Sequence, residues 1–191
     1  MSNLASFLTF VSYSTVSVLM PFFLQRVLNL NPQQSGWMMT AIPLTIFIVA
    51  PLSGRLSDRF GTSGLSALGA AVGGVTLLSF AGLVGAGLHA GMDLLPLTVG
   101  LAAVGLATGL FQSPNNSAIM SAVPLESLGV ASALLATIRN LGMVMGTGLS
   151  TALFGWRLQE HGDFSTALQF TFALASGVTF IASFVSFMRR N

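Results

Sequence analysis

The sequence predicts an all-α integral membrane protein in which six transmembrane helices form one bundle. The first observation is composition, because 53% of the 191 residues are apolar and only 6% are charged. Soluble domains carry about 25% charged residues, so this chain lacks the polar surface that would cover it in water. The second observation is that apolar stretches of about 20 residues, each long enough to cross a bilayer, recur along the chain. We therefore expect the lipid bilayer to surround it.

Turn-forming and charged residues divide the first half into three helices. The first span is expected to end at the turn-like segment Asn29-Leu30-Asn31-Pro32, and to be a mature span because no basic stretch or clear cleavage site marks a signal peptide. The second contains Pro43 and Pro51, which neighbouring helices tolerate within a membrane. A charged loop, Gly54–Ser63, is expected to lead into the third span.

The second half is divided by the linker His89–Asp93 and by further prolines. Asp93 is expected to cap the fourth helix, and Pro114 is expected to end it. Residues 117–126 are expected to form a short surface helix broken by Pro124. The predicted single bundle, residues 1–191, thus has spans at about 4–28, 35–53, 64–88, 94–113, 127–156 and 165–188.

The residue inventory excludes several classes of function. The chain has no Cys and no Lys, which removes thiolate chemistry, cysteine-ligated metal sites, Schiff bases and a P-loop lysine. Its net charge of +2 gives no basic patch for nucleic acid. We therefore expect no cofactor, no metal site and no nucleic-acid partner. A membrane enzyme is the less favoured class, because no catalytic constellation is visible.

The distribution of arginines predicts the orientation in the membrane. With six spans both termini lie on one side, and that side holds Arg55, Arg59, Arg189 and Arg190, whereas the other holds Arg26 and Arg157. Trp37 and Trp156 fall at span ends on this other side, as interfacial aromatic residues do. We expect both termini in the cytoplasm and the chain in the plasma (inner) membrane.

The segment between the second and third spans carries a sequence signature. It reads Gly54-Arg55-Leu56-Ser57-Asp58-Arg59-Phe60-Gly61. On physical grounds it is either a solvated, positively charged loop or a local charge network. The segment resembles the Gly-x-Leu-x-Asp-Arg-x-Gly-Arg-Arg signature of the major facilitator superfamily, with Gly54, Leu56, Asp58, Arg59 and Gly61 matching and Thr62 and Ser63 in place of the basic pair.

Other segments resemble the C-terminal half of one branch of that family, the 14-span drug–proton antiporters of the EmrB/QacA type. They are 24–28, 34–36, 109–114, 131–133 and 139–142. The resemblance implies half of a major facilitator fold, itself a 3+3 inverted repeat. It also implies that Asp58 latches the neighbouring half in one conformational state, tuned by Arg55 and Arg59.

The function that this resemblance implies is proton-coupled export of drugs or small organic molecules by alternating access. The implied partners are a small-molecule substrate and either an N-terminal half-transporter or a second copy. The alternative is a truncated or split half that has no transport activity unless it is paired with an N-terminal half.

Arg139 is the one ionisable residue well inside a predicted span. An arginine at the centre of a membrane helix costs about 2.5–3.5 kcal/mol on insertion scales, so it should face the bundle, a partner or water. The alternative is that it snorkels to the interface. No acid lies at membrane depth in the sequence, so a pairing carboxylate would come from elsewhere.

Hydroxyl side chains share one face of the first span. Ser6, Thr9, Tyr13 and Ser17 fall within an arc of roughly 80° at about 100° per residue. The resemblance implies that this helix lines the central cavity, so the stripe is a candidate substrate contact. The alternative is that these hydroxyls bond to their own helix or pack against neighbours.

Pairs of glycines four residues apart occur in three spans and predict close helix packing. They are Gly69 and Gly73, Gly105 and Gly109, and Gly142 and Gly146. In addition, Gly155-Trp156-Arg157-Leu158 with Glu160 and Gly162 is a faint, offset echo of the Asp58 segment, as an inverted three-helix repeat would produce.

Overall fold

The computed structural model describes residues 1–87 and 94–188, where every regular element is a helix. Its helices are α1 (Ser2–Arg26), α2 (Pro32–Met39), α3 (Ala41–Phe60), α4 (Thr62–Gly85), α5 (Leu95–Met120), a 3₁₀ turn (Leu125–Ser127), α6 (Leu128–His161) and α7 (Phe164–Met188). Six segments of the described residues are long and apolar enough to cross a membrane, with α2 and α3 forming one and the 3₁₀ turn and α6 forming another. The six-helix prediction is therefore confirmed.

The helices pack in a pattern that repeats within the chain. Helices α4 and α7 pack against each other; α5 lies against α4, and α1 against α7. The two remaining long helices occupy the flanks, with α3 on α5 and α6 on α1. If α1, α3 and α4 are exchanged for α5, α6 and α7 in that order, the same set of helix contacts results. This symmetry is expected for the 3+3 repeat of a transporter half.

The main core lies between α1, α4, α5 and α7. Phe23, Phe80 and Phe172 are fully buried there, and the rings of Phe80 and Phe172 stand 5.7 Å apart between centroids. Two hydroxyls of α7 also bond to backbone carbonyls of α4: Ser176 donates to Gly74 at 2.8 Å and Ser183 donates to Ala67 at 2.7 Å. Such interhelical bonds supplement packing where lipid removes most of the hydrophobic drive between helices.

Prolines affect two of the spans, and the helix end predicted at Pro114 is wrong. The second span is interrupted at Thr40, since Pro43 has no N–H to bond the carbonyl of Met39. In contrast, α5 does not end at Pro114 but continues to Met120. The carbonyl of Leu110, which Pro114 cannot bond, accepts a long 3.5 Å bond from the hydroxyl of Ser53 on α3. A side chain of a neighbouring helix thus partly satisfies the carbonyl that the proline cannot bond.

The predicted surface helix at residues 117–126 is also wrong. Residues 117–120 are the last turn of α5, and only the 3₁₀ turn Leu125–Ser127 follows Pro124.

The predicted charged loops are helical as well. Helix α3 continues to Phe60, so Gly54–Phe60 forms its last two turns and Gly61, at φ 85°, is the only residue before α4. Likewise α6 continues past Trp156 to His161 and ends at Gly162, at φ 69°. Both glycines adopt backbone angles that other residues rarely reach, which stops the helices there.

Several sequence predictions fall on residues outside the described part of the chain. They concern the end of the third span at Leu88, the linker His89–Asp93 with its capping Asp93, and Arg189 and Arg190. We name the two ends of the bundle by their linkers. The Gly61 end also holds Ser2 and Met188, and the Gly162 end also holds Arg26 and Pro32.

Candidate functional site

The face of the bundle between α1 and α5 contains two adjoining concavities. The polar pocket, about 240 Å³, is lined by Ser6, Phe10, Gln112, Asn116, Met120, Ser132, Leu135, Ala136 and Arg139. The central pocket, about 190 Å³, is lined by Phe10, Tyr13, Ser14, Val16, Ser17, Ile42, Ile46, Val104, Thr108 and Met143. Because Phe10 lines both, the two form one depression whose edges are α3 and α6.

The structure separates the members of the predicted hydroxyl stripe. Tyr13 and Ser17 line the central pocket, and Ser6 lines the polar pocket. Thr9 is fully buried and lines neither pocket. The α1 stripe therefore supplies three candidate contacts rather than four.

The side chain of Tyr13 on α1 reaches Gly73 on α4. A Cβ on Gly73 would lie 2.5 Å from the Tyr13 hydroxyl oxygen, so the absence of a side chain at Gly73 creates the space for the phenol. Within residues 1–87 and 94–188 the hydroxyl makes no hydrogen bond of good geometry. Thr108, which lines the same pocket, donates its own hydroxyl to the carbonyl of Val104 at 2.7 Å and is a candidate acceptor.

Arg139 is exposed and forms part of the polar pocket. Its companions there include the amides of Gln112 and Asn116 on α5 and the hydroxyl of Ser132 on α6. Within the described residues no carboxylate lies within 4.0 Å of its guanidinium, because the ion pairs found there join Glu160 to Arg157 and His161. The pocket thus combines a permanent positive charge with side chains that can donate hydrogen bonds.

No sequence pattern predicted the role of Asn115, a residue that joins α1 to α5 beside the polar pocket. Its side chain is fully buried, and Nδ2 donates to the hydroxyl oxygen of Ser6 at 2.7 Å. The Pro-Asn-Asn sequence predicted a helix end, which concealed the fact that two amides follow Pro114 inside a membrane helix. An amide within an apolar span was the feature that could have identified it.

The segment Gly54–Gly61 lies at the Gly61 end, with Leu56 and all three charged residues exposed. Arg55, Leu56, Asp58 and Arg59 line a broad concavity of about 750 Å³ between α3 and α5. Gly54 faces α5, where an added Cβ would touch the Ser113 hydroxyl oxygen at 3.4 Å. No ion pair holds Asp58 among the described residues.

The corresponding end of α6 differs in its charges. Arg157 and Glu160 have the same i,i+3 spacing as Arg55 and Asp58, but they form an ion pair of 2.8 Å. The Arg157 guanidinium also lies 4.9 Å from the ring centroid of Phe170 on α7. The second copy of the repeat therefore pairs its own charges, whereas the first leaves Asp58 exposed.

The six paired glycines lie at four different helix contacts. A Cβ on Gly69 would meet the α5 backbone at 2.5 Å, and one on Gly105 would meet the Ile42 carbonyl of α3 at 2.5 Å. Gly109 faces Val49 of α3; Gly142 and Gly146 face the backbone of α1 at Phe7 and Val11. Both flanking helices thus rest on glycine contacts, one with glycines on α5 and the other with glycines on α6.

In the described part of the chain, no group of three or more His, Asp or Glu side chains could hold a metal ion.

Comparison with known proteins agrees with this architecture. The sequence profile of the Major Facilitator Superfamily matches residues 3–191. Riboflavin transporter RibZ of Clostridioides difficile is 34% identical over 92% of this chain, which covers 40% of that protein. Uncharacterized transporter YebQ of Escherichia coli is 33% identical over 99% of this chain and 39% of its own length. A multidrug resistance protein B homolog of Mycobacterium tuberculosis is 27% identical over 84% of this chain and 29% of its own length.

The chain therefore spans about two fifths of the length of the first two relatives. Its profile match, six membrane-spanning segments and repeated helix packing agree, and the chain belongs to the major facilitator superfamily of multi-pass membrane transporters.

Proposed function

We propose that this chain acts as the C-terminal half of a secondary active transporter that exports drugs or other small organic molecules by alternating access, driven by protons. The observation that carries the proposal is the depression between α1 and α5, which combines Arg139 and two amides with an apolar centre and the Tyr13 hydroxyl. Sites for small organic molecules combine apolar walls with a few polar groups in this way. Relatives named as multidrug resistance proteins support drugs as the cargo, and we assign the chain to the 14-span drug–proton antiporter branch as part of the same proposal.

A second six-helix body is proposed to close the depression. In the most apolar 18-residue stretch of each span, 6% of the α2–α3 residues and 11% of the α6 residues are buried, against 39–56% in the other four. These two helices flank the depression and expose large apolar side chains: Leu44, Phe47, Ile48 and Leu52 on α3, and Val130, Leu141, Val144 and Leu149 on α6. Relatives about two and a half times as long support an N-terminal half-transporter as that body, with a second copy of this chain as the alternative.

The proton-carrying group is proposed to belong to that second body. Within the described residues, Asp58, Glu126, Glu160 and Asp163 all lie at helix ends or between helices, and Asp93 lies outside them. A coupling carboxylate at membrane depth is therefore expected in the partner half.

The proposed orientation places the Gly61 end, with Asp58 and both termini, in the cytoplasm, and the whole protein in the plasma membrane. The proposal rests on the arginine count of the sequence, in which Arg55, Arg59, Arg189 and Arg190 belong to that side and Arg26 and Arg157 to the other. In this orientation, Asp58 faces the cytoplasmic side of the partner half, where it is proposed to act as a latch.

Transport assays in proteoliposomes test the proposal. We expect the chain alone, given a proton gradient, to accumulate no fluorescent drug, since it supplies only one of the two bodies that alternating access needs. Co-reconstitution with an N-terminal half should produce uphill accumulation that an uncoupler abolishes, with empty liposomes as the control. Uphill accumulation by the chain alone, or accumulation by the pair that persists with the uncoupler, would contradict the proposal.

A further inference from the structure

The polar pocket presents hydrogen-bond donors, and no carboxylate of residues 1–87 or 94–188 lines it. Arg139 contributes a planar fork of N–H donors and no acceptor, and the amides of Gln112 and Asn116 each offer an NH₂ group. Among the described residues, no Asp or Glu lines the pocket. Its charge is therefore positive, and the chemistry that complements it is an anion.

The nearest acids along α6 lie far from Arg139. On one side, Glu126 lies just before Leu128, where α6 begins, and on the other side is Glu160. With a rise of about 1.5 Å per residue, Arg139 lies about 17 Å along the helix axis from Leu128 and about 31 Å from Glu160. Glu160 is already paired with Arg157 at 2.8 Å. Among the described residues, then, no carboxylate of this chain neutralises Arg139.

The adjoining central pocket has the opposite character. Its walls include Val16, Ile42, Val104 and Met143, and it meets the polar pocket at Phe10. A ligand occupying both would place a charged group beside Arg139 and an apolar body between α1 and α5.

We propose that the polar pocket is an anion subsite that holds the carboxylate of an organic ligand against Arg139, with Gln112 and Asn116 as additional donors. A carboxylate is favoured because its two oxygens match the guanidinium fork in a bidentate pair. The inference rests on the proposed transport function for its source, which is either a transported organic acid or an acidic side chain of the partner half. Both present the same chemistry to Arg139.

Thermal unfolding of the purified chain tests the subsite, followed by far-UV circular dichroism in detergent. The probes are 2-naphthoate, its neutral analogue 2-naphthamide, and chloride at matched ionic strength. We expect naphthoate to raise the unfolding midpoint and the other two to leave it unchanged. Equal protection by the amide or by chloride, or no protection by naphthoate, would overturn the proposal.

Substitutions assign the effect to Arg139. Arg139→Met should weaken naphthoate binding about tenfold or more, which corresponds to about 1.4 kcal/mol. Arg139→Lys keeps the charge but not the fork, so intermediate binding is expected, and it also serves if the Met variant fails to fold. Thr137→Ala is the control, since that exposed hydroxyl bonds to its own helix at Ala133 and lies outside the pocket. Undiminished binding in both Arg139 variants would refute the assignment.

Repeating the measurement on this chain assembled with an N-terminal half distinguishes the two sources. If a partner side chain fills the subsite, naphthoate will protect the chain alone and not the assembly. If a substrate fills it, naphthoate will protect both. Because binding to the chain alone requires no transport, failure of the proposed transport function would leave this result intact.

Discussion

The side chain of Asn115 donates a 2.7 Å hydrogen bond to the hydroxyl of Ser6, joining two helices whose residues are 109 positions apart. Both groups are buried, Asn115 fully, so neither can exchange the bond for water. Asn115 is therefore a structural tie between α1 and α5 beside the polar pocket.

Asn115→Ala should destabilise the chain by about 1–3 kcal/mol, because it removes one partner of a buried hydrogen bond and leaves Ser6 unsatisfied. Chemical or thermal unfolding in detergent measures the loss. Asn116→Ala is the matched control, since Asn116 is only half-buried and lines the pocket. Equal losses of stability in both variants would contradict a specific contribution from the hydrogen bond between Asn115 and Ser6.

Gly69→Ala should destabilise by about 1–3 kcal/mol through overpacking. Its new Cβ would meet the backbone nitrogen of Phe111 at 2.5 Å, and backbone cannot rotate aside as a side chain can. Gly82→Ala on the same helix has open space around its Cβ and should be neutral or slightly stabilising. The unfolding midpoints of the two variants are compared under one condition. An unchanged midpoint for Gly69→Ala would contradict the prediction and would mean that α4 and α5 can move apart without cost.

Asp58→Asn should reduce transport by the assembled protein sharply while leaving expression and unfolding unchanged. The charge is exposed and unpaired among the described residues, so its contribution to stability is about 1 kcal/mol or less. Initial rates in vesicles provide the measurement. Glu126→Gln, another exposed acid at the Gly61 end, is the control and should transport normally. Unimpaired transport by Asp58→Asn would eliminate the latch.

Single cysteines should report the orientation directly, because the chain has none of its own. His161→Cys, at the Gly162 end, should react with an impermeant thiol reagent added outside cells. Ser121→Cys, at the Gly61 end, should react only after the membrane is opened. Both positions are exposed. The reverse labelling would place the termini outside.

Asp163 should make the start of α7 sensitive to acid. The hydroxyl and then the backbone N–H of Thr166 donate to its carboxylate at 2.6 and 2.7 Å, which lowers the pKa of Asp163 below its ordinary value of 3.8. A lowered folded-state pKa contributes stability above the ordinary value, and this is lost as the pH falls through the folded one.

Asp163→Asn should therefore lower the unfolding midpoint at neutral pH by a small amount. Asparagine can still accept the Thr166 bonds, so only the charge of the carboxylate is lost, which contributes about 0.3–1 kcal/mol at an exposed helix N-terminus. The difference from wild type should shrink as the pH is lowered below about 4. A difference that stays constant from neutral to acid pH would contradict the assignment.

The sequence by itself determined the number of spans and the family. Transfer of apolar side chains into lipid is nearly additive along the chain, so hydropathy finds helices without knowledge of their neighbours. The Gly54–Gly61 signature and the glycine pairs are likewise local patterns. These patterns are sufficient to select Asp58 and the paired glycines without information on helix packing.

Tertiary structure decided where helices end and which polar groups meet. Pro114 predicts a helix end from local geometry, yet α5 continues to Met120 with Ser53 of another helix reaching the freed Leu110 carbonyl. The hydrogen bond from Asn115 to Ser6 and the packing of Tyr13 against Gly73 were also decided by tertiary structure. In each case, the free energy of a polar or bulky group depends on a helix distant in sequence, so no local pattern can contain it. Whether Arg139 snorkels or faces a cavity was open in the sequence for this reason, and the α1–α5 depression places it in a pocket.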